Sequence, residues 1–347
     1  MLEKEISKRI ITSMSQGFSN TFLLYTACKL EIFDAIDKEG SNIEEISNKI
    51  EVGKNILYRI IRPLIVYGFI EKIDSKYILT ESGKLLTEEG EGSLKGYVLY
   101  CGGICAKSWS VMAEAARCNE SPYSLAIGGD LFDGNRNSIS DYSNFNAMMS
   151  FVSKSMDIQS FLKKQNDKDK IKEIVDIGGG TGAVIIQFLK YYKNARGKIL
   201  DLDFVKEKAI ENMQINDVLD RADFISGSFF EPFSVDGDIF ILSRVLHDWK
   251  DEESVTILKN IKNTMNEESI LYVIELIVPE EFKRENADIF MNDLQIWAVC
   301  GGEERSLAQY DNLFKKAGLA LMESEKIETG EYVMKVRKDI DIEEGEI

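Results

Sequence analysis

The sequence predicts an α/β fold, a mostly parallel sheet covered by helices on both faces, preceded by a smaller and mostly helical N-terminal domain. Three observations carry this. Beyond the polar break QNDKDK at 165–170, apolar runs of strand length alternate with helical stretches, the pattern of a sheet joined by crossover helices. The first of those runs leads into the glycine-rich loop VDIGGGTGAV. Residues 1–105, by contrast, read as three helices followed by a hairpin.

In that first region FSNTFLLYTACKLEIFDAI places apolar residues at helical spacing, and SNIEEISNKI opens a second helix with Ser41 as the expected cap. GKNILYRIIRPLIVYGFI is a third apolar helix, expected to be irregular at Pro63. FIEKID and KYILTES then make two strands around a turn at Asp74 and Ser75. Helix, helix, helix, hairpin is the order of a winged helix. Residues 1–105 are therefore expected to form a winged-helix-like domain and 106–347 a second domain, with an irregular helical linker over about 106–165.

Within the second domain the expected strands are IKEIVDIG, KILDLD, DGDIFILSRVL and SILYVIEL, with AVIIQFLKYYKN and ESVTILKNIKNTM as intervening helices. The acidic tail DIDIEEGEI is expected to fray.

Composition narrows the function. With 59 acidic against 42 basic residues the formal net charge is -17, which repels a phosphate backbone. A winged helix raises the alternative of a DNA-binding regulator, but its candidate recognition helix offers only Lys54, Arg59 and Arg62. Nucleic acid is not an expected partner. The apolar stretches TFLLYTAC and GYVLYCGGICA fall short of the roughly 20 residues needed to cross a bilayer, and MLEKEISKRI does not lead into a secretory h-region. A cytoplasmic protein without membrane partners is expected. Cys28, Cys101, Cys105, Cys118 and Cys300 are scattered with no CxxC pair, and His247 is the single histidine. Neither a disulfide framework nor a zinc site is indicated and no metal is expected, with an oxygen-ligated Mg or Ca site left open as the alternative.

Glycines in DIGGGTG let the backbone turn sharply and approach a ligand, while the following helix supplies free N–H groups. Gly178, Gly180 and Ala183 satisfy GxGxx(G/A), and Asp201 closes the next strand at the position of a ribose-binding acid. Taken alone this permits NAD and a dehydrogenase. Asp176, two residues before Gly178, favours instead a ligand carrying an ammonium group. S-adenosylmethionine (SAM) has one.

Taken together, DIGGGTG, ILDLDFV, GSFFEPF, LSRVLHDWKDEE and GGEERS, in that order, resemble the SAM-dependent O-methyltransferases of the plant caffeate and bacterial antibiotic type. The resemblance covers nearly the whole chain and implies a winged-helix-like dimerisation domain ahead of a Rossmann-like catalytic domain, hence a homodimer. It implies SAM as cofactor, S-adenosylhomocysteine (SAH) as product and a small-molecule acceptor. It places His247 as general base, with Glu275 and Glu304 as the carboxylates that hold it. It places Gly178 on the methionine side of the donor, Asp201 on its ribose and Phe229 on its adenine. At three positions the chain departs: Ser228 stands where the family often has Asp, Ser243 where a Lys often precedes HDW, and Asp203 where DLP has Pro. Ser228 and Ser243 fall among the expected donor contacts. Met149 matches a position that touches the acceptor, and Met291 and Trp297 are candidates to line the same cavity.

The chemistry fits these residue types. SAM brings its own electrophile, so the protein must align a nucleophile and remove its proton. A phenol near pKa 10 is a poor nucleophile at neutral pH until an imidazole, near 6.5, accepts that proton. His247 follows a strand and precedes a helix at the ligand edge of the sheet, and Glu275 ends another strand there. Methylation of a hydroxyl is the expected reaction. The same residues would also serve C-, N- or S-methylation, and some members of the family have abandoned methyl transfer for other chemistry.

Overall fold

In the computed structural model, described for residues 2–88, 90, 92–129, 131–132 and 139–339, the chain divides into two compact units. One runs to Ser110 and takes in helix Ile139–Ser155 as far as Phe151; the other holds the segment from Val111 and everything from Val152 onward.

The first unit begins with helices Leu2–Gln16 and Phe18–Lys29, followed by Ile43–Lys49 and Lys54–Val66. Three short strands, β1 (Ser41–Asn42), β2 (Ile70–Ile73) and β3 (Lys76–Leu79), pair antiparallel in the order β1-β3-β2. The cap of Ile43–Lys49 lies one residue later than expected. Asn42 accepts from the N–H groups of Glu44 and Glu45, and Glu45 reaches back to the Asn42 N–H, a capping box worth about 1 kcal/mol. Ser41 is withdrawn from that role because it pairs with Tyr77 in the sheet and its hydroxyl bonds Asp37. Lys54–Val66 continues through Pro63 without a break and buries Leu57, Ile61 and Leu64 along one face, the spacing of a single helical stripe. Ile32, Phe33, Ile46 and Ile70 complete this core. Ile6, Ile11, Met14 and Phe18 on the leading helices stay more than half exposed.

The second unit is a seven-stranded sheet. Its strands are β4 (Glu173–Ile177), β5 (Arg196–Asp201), β6 (Ala222–Ser226), β7 (Ile239–Ser243), β8 (Ile270–Glu275), β9 (Leu319–Lys326) and β10 (Tyr332–Lys338), in the order β6-β5-β4-β7-β8-β10-β9. β4 to β8 run parallel, while β10 is antiparallel to both β8 and β9. Successive residues feed opposite cores: Ile239 and Ile241 pack on one face, Phe240 and Leu242 on the other. That two-sided burial explains why these strands read as unbroken apolar runs. The strand order reverses at β4, so its C-terminal end, with those of β5, β7 and β8, borders the crevice where open α/β sheets bind ligands. The tail from residue 340 lies outside the described residues.

Candidate active site

At the end of β7 the chain turns through Arg244, which has φ +55°, a left-handed conformation rare for a long side chain. A short 3₁₀ turn, Leu246–Asp248, then carries His247. This turn is built on Glu275, the last residue of β8: Oε1 accepts from the Val245 and Leu246 N–H groups at 3.0 and 2.9 Å. The other oxygen, Oε2, lies 3.0 Å from His247 Nδ1. That contact is an ion pair by distance without a well-aligned N–H···O bond.

Glu304 arrives from the far side. Its Oε1 lies 3.4 Å from His247 Nδ1 and 3.0 Å from Arg244 Nη1, and accepts from Asn292 Nδ2 at 2.7 Å. The Glu304 N–H donates to Asp293 Oδ1 at 2.8 Å. GGEERS passes this close because Gly302 lacks a side chain: a Cβ there would stand 2.0 Å from the His247 carbonyl oxygen. Arg305, with no exposed surface, clamps the turn by donating to the carbonyls of Leu246 and Trp249, each at 2.8 Å, and pairs with Asp251.

These neighbours set the charge of the ring. Burial, and next the Arg244 charge, push the His247 imidazole down, but Glu275, Asp248 and Glu304 outweigh them and hold it well above its ordinary 6.5. This departs from the expectation of an imidazole near its ordinary value. The physical reason is three carboxylates against one guanidinium, since Asp248 Oδ1 also lies 3.3 Å from Nε2. Glu304 moves the other way: burial raises it, yet Arg244 and His247 hold it down at about 2. His247, Glu275 and Glu304 bring ligand-type atoms within 4.8 Å of one another, a set that could hold a cation. The Arg244 guanidinium, against both acids, already supplies positive charge there.

The glycine loop lies beside this turn. Gly178, at φ +67°, packs so closely that a Cβ would sit 3.0 Å from Val245 Cγ2 and 3.3 Å from Phe229 Cε1. Gly180, at φ +53°, donates its N–H to Asp201 Oδ2 at 2.7 Å, and nothing stands within 4 Å of where its side chain would be. Leu202 N–H donates to Asp201 Oδ1. Asp176 is buried beneath the loop: Oδ2 accepts from Ile185 N–H at 3.2 Å, Oδ1 has no partner, and Gly179 lies on the carboxyl group. Burial pushes Asp176 up to about 8 against the pull of that N–H. An open cradle of glycine backbone, a free buried carboxyl oxygen and a half-buried Phe229 lie together at this end of the sheet.

Phe229 and Phe230 pack edge-on against Trp249, with ring centroids 6.1 and 4.7 Å away, and Phe132 lies 5.4 Å from the same indole. Asn260 fixes the segment by donating to the Phe229 and Phe230 carbonyls. Ser228 spends its hydroxyl on the Phe230 N–H, whereas the buried Ser243 hydroxyl has no partner. Asp203 accepts from Ser226. Of the acceptor candidates, Trp297 lies one helical turn beyond Asp293 on helix Ala287–Val299. Met291, 48% exposed, falls on the opposite face from Asp293. Met149 belongs to the first unit. Sequence reasoning missed Arg244, Asn292, Asp293 and Asn260. Nothing in their local pattern marks them, because each acts on a residue distant in sequence or through an unusual backbone angle.

Comparison with known proteins agrees with this architecture. Residues 109–320 match the O-methyltransferase domain family model, and residues 12–89 match the O-methyltransferase dimerisation domain. The phenazine O-methyltransferase PhzM of Lysobacter antibioticus is 27% identical over 316 residues, covering 90% of this chain and 91% of that one. The 3-amino-4-hydroxybenzoate 4-O-methyltransferase of Streptomyces cremeus is 26% identical over 327 residues, covering 90% and 85%. Among solved structures, that of LaPhzM superposes with a TM-score of 0.87 at 26% identity, covering 95% of this chain and 99% of the other. NcsB1, solved with SAM and 2-hydroxy-5-methyl naphthoic acid, shares the fold with a TM-score of 0.76 at 24% identity, covering 92% and 96%. No helix among the described residues is long and apolar enough to cross a membrane. The cradle beside β4, the braced histidine at the end of β7 and the two matched domains lead to one conclusion: this chain belongs to the SAM-dependent O-methyltransferase family.

Proposed function

We propose that the protein moves the methyl group of SAM to a hydroxyl of a small aromatic acceptor, with His247 as general base and Glu275 and Glu304 as its supports. The observation that carries this is the position of His247 on a turn whose Val245 packs so near Gly178 that a Cβ there would stand 3.0 Å from it, so the base and the glycine loop are neighbours. SAM, when bound, supplies the electrophilic methyl. The chain's residues do the rest: Asp176, Gly178, Gly180, Asp201 and Phe229 bind the donor, with Ser228 and Ser243 at its margins. The imidazole takes the acceptor proton at Nε2. A base held above 6.5 is nearer a phenol's pKa of about 10, so the proton transfer is less uphill than for an ordinary imidazole. Asp248 shares Nε2, and in this reading the acceptor hydroxyl displaces it.

The division into residues 1–105 and 106–347 is read as functional: an N-terminal domain that forms the homodimer and a larger C-terminal domain that performs the chemistry. Trp297 is retained as an acceptor contact, with Met291 the weaker candidate because of its exposure. Nucleic acid and membrane have no part in this reading, given the net charge of -17, and scattered cysteines fit a cytoplasmic setting. Incubation with methyl-labelled SAM and a panel of phenols, catechols and aromatic amines tests it. Label on a phenolic oxygen supports the proposal, and label only on nitrogen or carbon replaces it.

A further inference from the structure

Among the described residues Arg244 is the guanidinium that reaches both carboxylates beside the ring. Its Nη1 lies 3.0 Å from Glu304 Oε1 and 3.7 Å from Glu275 Oε2, and the side chain is almost wholly buried. The backbone is committed to this placement, because a left-handed φ of +55° is adopted by long side chains only when the surroundings fix it. We propose that Arg244 is a positioning residue for the base: it lies against Glu275 and Glu304 on one side of His247 and opposes the imidazolium, so that the ring can shed its proton to water and become a base. This rests on the reading of His247 as the general base.

The charges facing the ring come from every element around it. Asp248 lies on the same turn, Glu275 on β8 and Glu304 on the segment after helix Ala287–Val299. Asp293 on that helix bonds the Glu304 backbone, and Tyr310, on helix Leu307–Lys316, is a buried neutral phenol near the two acids. Arg305, the other nearby guanidinium, is occupied by Asp251 and by the carbonyls of Leu246 and Trp249. Without Arg244, the imidazolium would face three carboxylates with no competing cation beside it. Its proton would be held more tightly, and the neutral form would be rarer at any given pH.

A single histidine in the chain makes the test direct, since the imidazole signal of protein labelled with ring-¹³C histidine has one source. We would titrate wild type, Arg244→Gln and Arg244→Lys, each loaded with SAH and checked for folding by circular dichroism. In Arg244→Gln the His247 midpoint is expected to rise by about one pH unit or more, while Arg244→Lys stays within about half a unit of wild type. A folded Arg244→Gln protein with an unchanged or lowered midpoint overturns the proposal. If Arg244→Gln does not fold, Arg244→Lys decides: a midpoint near wild type supports the proposal, and one raised by about a unit or more, with the charge retained, overturns it. None of these readings requires an acceptor, so they stand apart from whether replacing His247 abolishes methyl transfer.

Discussion

His247 Nδ1 lies 3.0 Å from Glu275 Oε2, while the other oxygen of the same carboxylate accepts from the backbone of Val245 and Leu246. One side chain therefore shapes the turn that carries His247, the proposed base, and braces its ring. The proposed function and local stability meet in Glu275.

Glu275→Gln keeps the shape and removes the charge. Breaking a buried, paired carboxylate in this way is expected to cost about 3 kcal/mol of stability and to lower methyl transfer about 100-fold or more. Urea unfolding and a labelled-methyl assay check the two effects separately. Loss of activity without loss of stability would mean that the charge of Glu275 contributes little to the fold, the amide oxygen still accepting from Val245 and Leu246.

Methyl transfer should fall as pH drops through a midpoint above 6.5, because His247 is held well above that value and must be neutral to act. The linkage to stability has the opposite sense. A raised folded pKa gives a contribution fully present below the unfolded value and lost as pH rises through the folded one. Glu304, held near 2 against 4.5 in a free chain, contributes stability above 4.5 that is lost as pH falls toward 2. A pH series of kcat with any competent acceptor, beside a series of thermal melts, would show activity rising where the histidine contribution fades.

Asp176 carries a cost. Because burial raises it from 3.8 to about 8, the folded state binds more protons than the unfolded one between those values, and stability should decline as pH rises across that window. Asp176→Asn is expected to flatten this decline, leaving the variant more stable than wild type at pH 8, and to weaken SAH binding about tenfold or more. Melting temperature against pH and calorimetry with SAH test both halves. A wild-type slope that survives in the variant would assign the decline to other groups.

Gly178→Ala places a methyl group 3.0 Å from Val245 on a backbone at φ +67°. A stability loss of about 1–2 kcal/mol is expected, with SAH affinity falling about tenfold as the loop shifts. Isothermal titration measures the affinity. An unchanged affinity would detach Gly178 from the donor site.

Much of this was legible in the sequence, for physical reasons that differ by element. β4, β5, β7 and β8 are buried on both faces, so IVDI, ILD, IFILS and ILYVIE stand out as apolar runs. β9, LALMESEK, lies at the sheet edge with much of its length exposed; its composition suits a helix equally well, and only pairing with β10 makes it a strand. β6, ADFIS, is short and half-buried and was passed over for the same reason. His247, Glu275 and Glu304, which the structure brings together, stand in motifs that mark them in the sequence. Arg244 and Asn292 do not, since their significance lies in Glu304, which neither predicts by spacing. The elevated ring pKa was hidden for a related reason: it depends on how many carboxylates converge in space.

The account depends most on His247, and the most direct measurement compares methyl transfer by wild type and His247→Ala at pH 7 to 9, with SAH affinity determined on the same preparations. The account predicts that transfer falls by about 100-fold or more while SAH binds within a few-fold of wild type. Transfer near the wild-type rate, with SAH still bound, would contradict it.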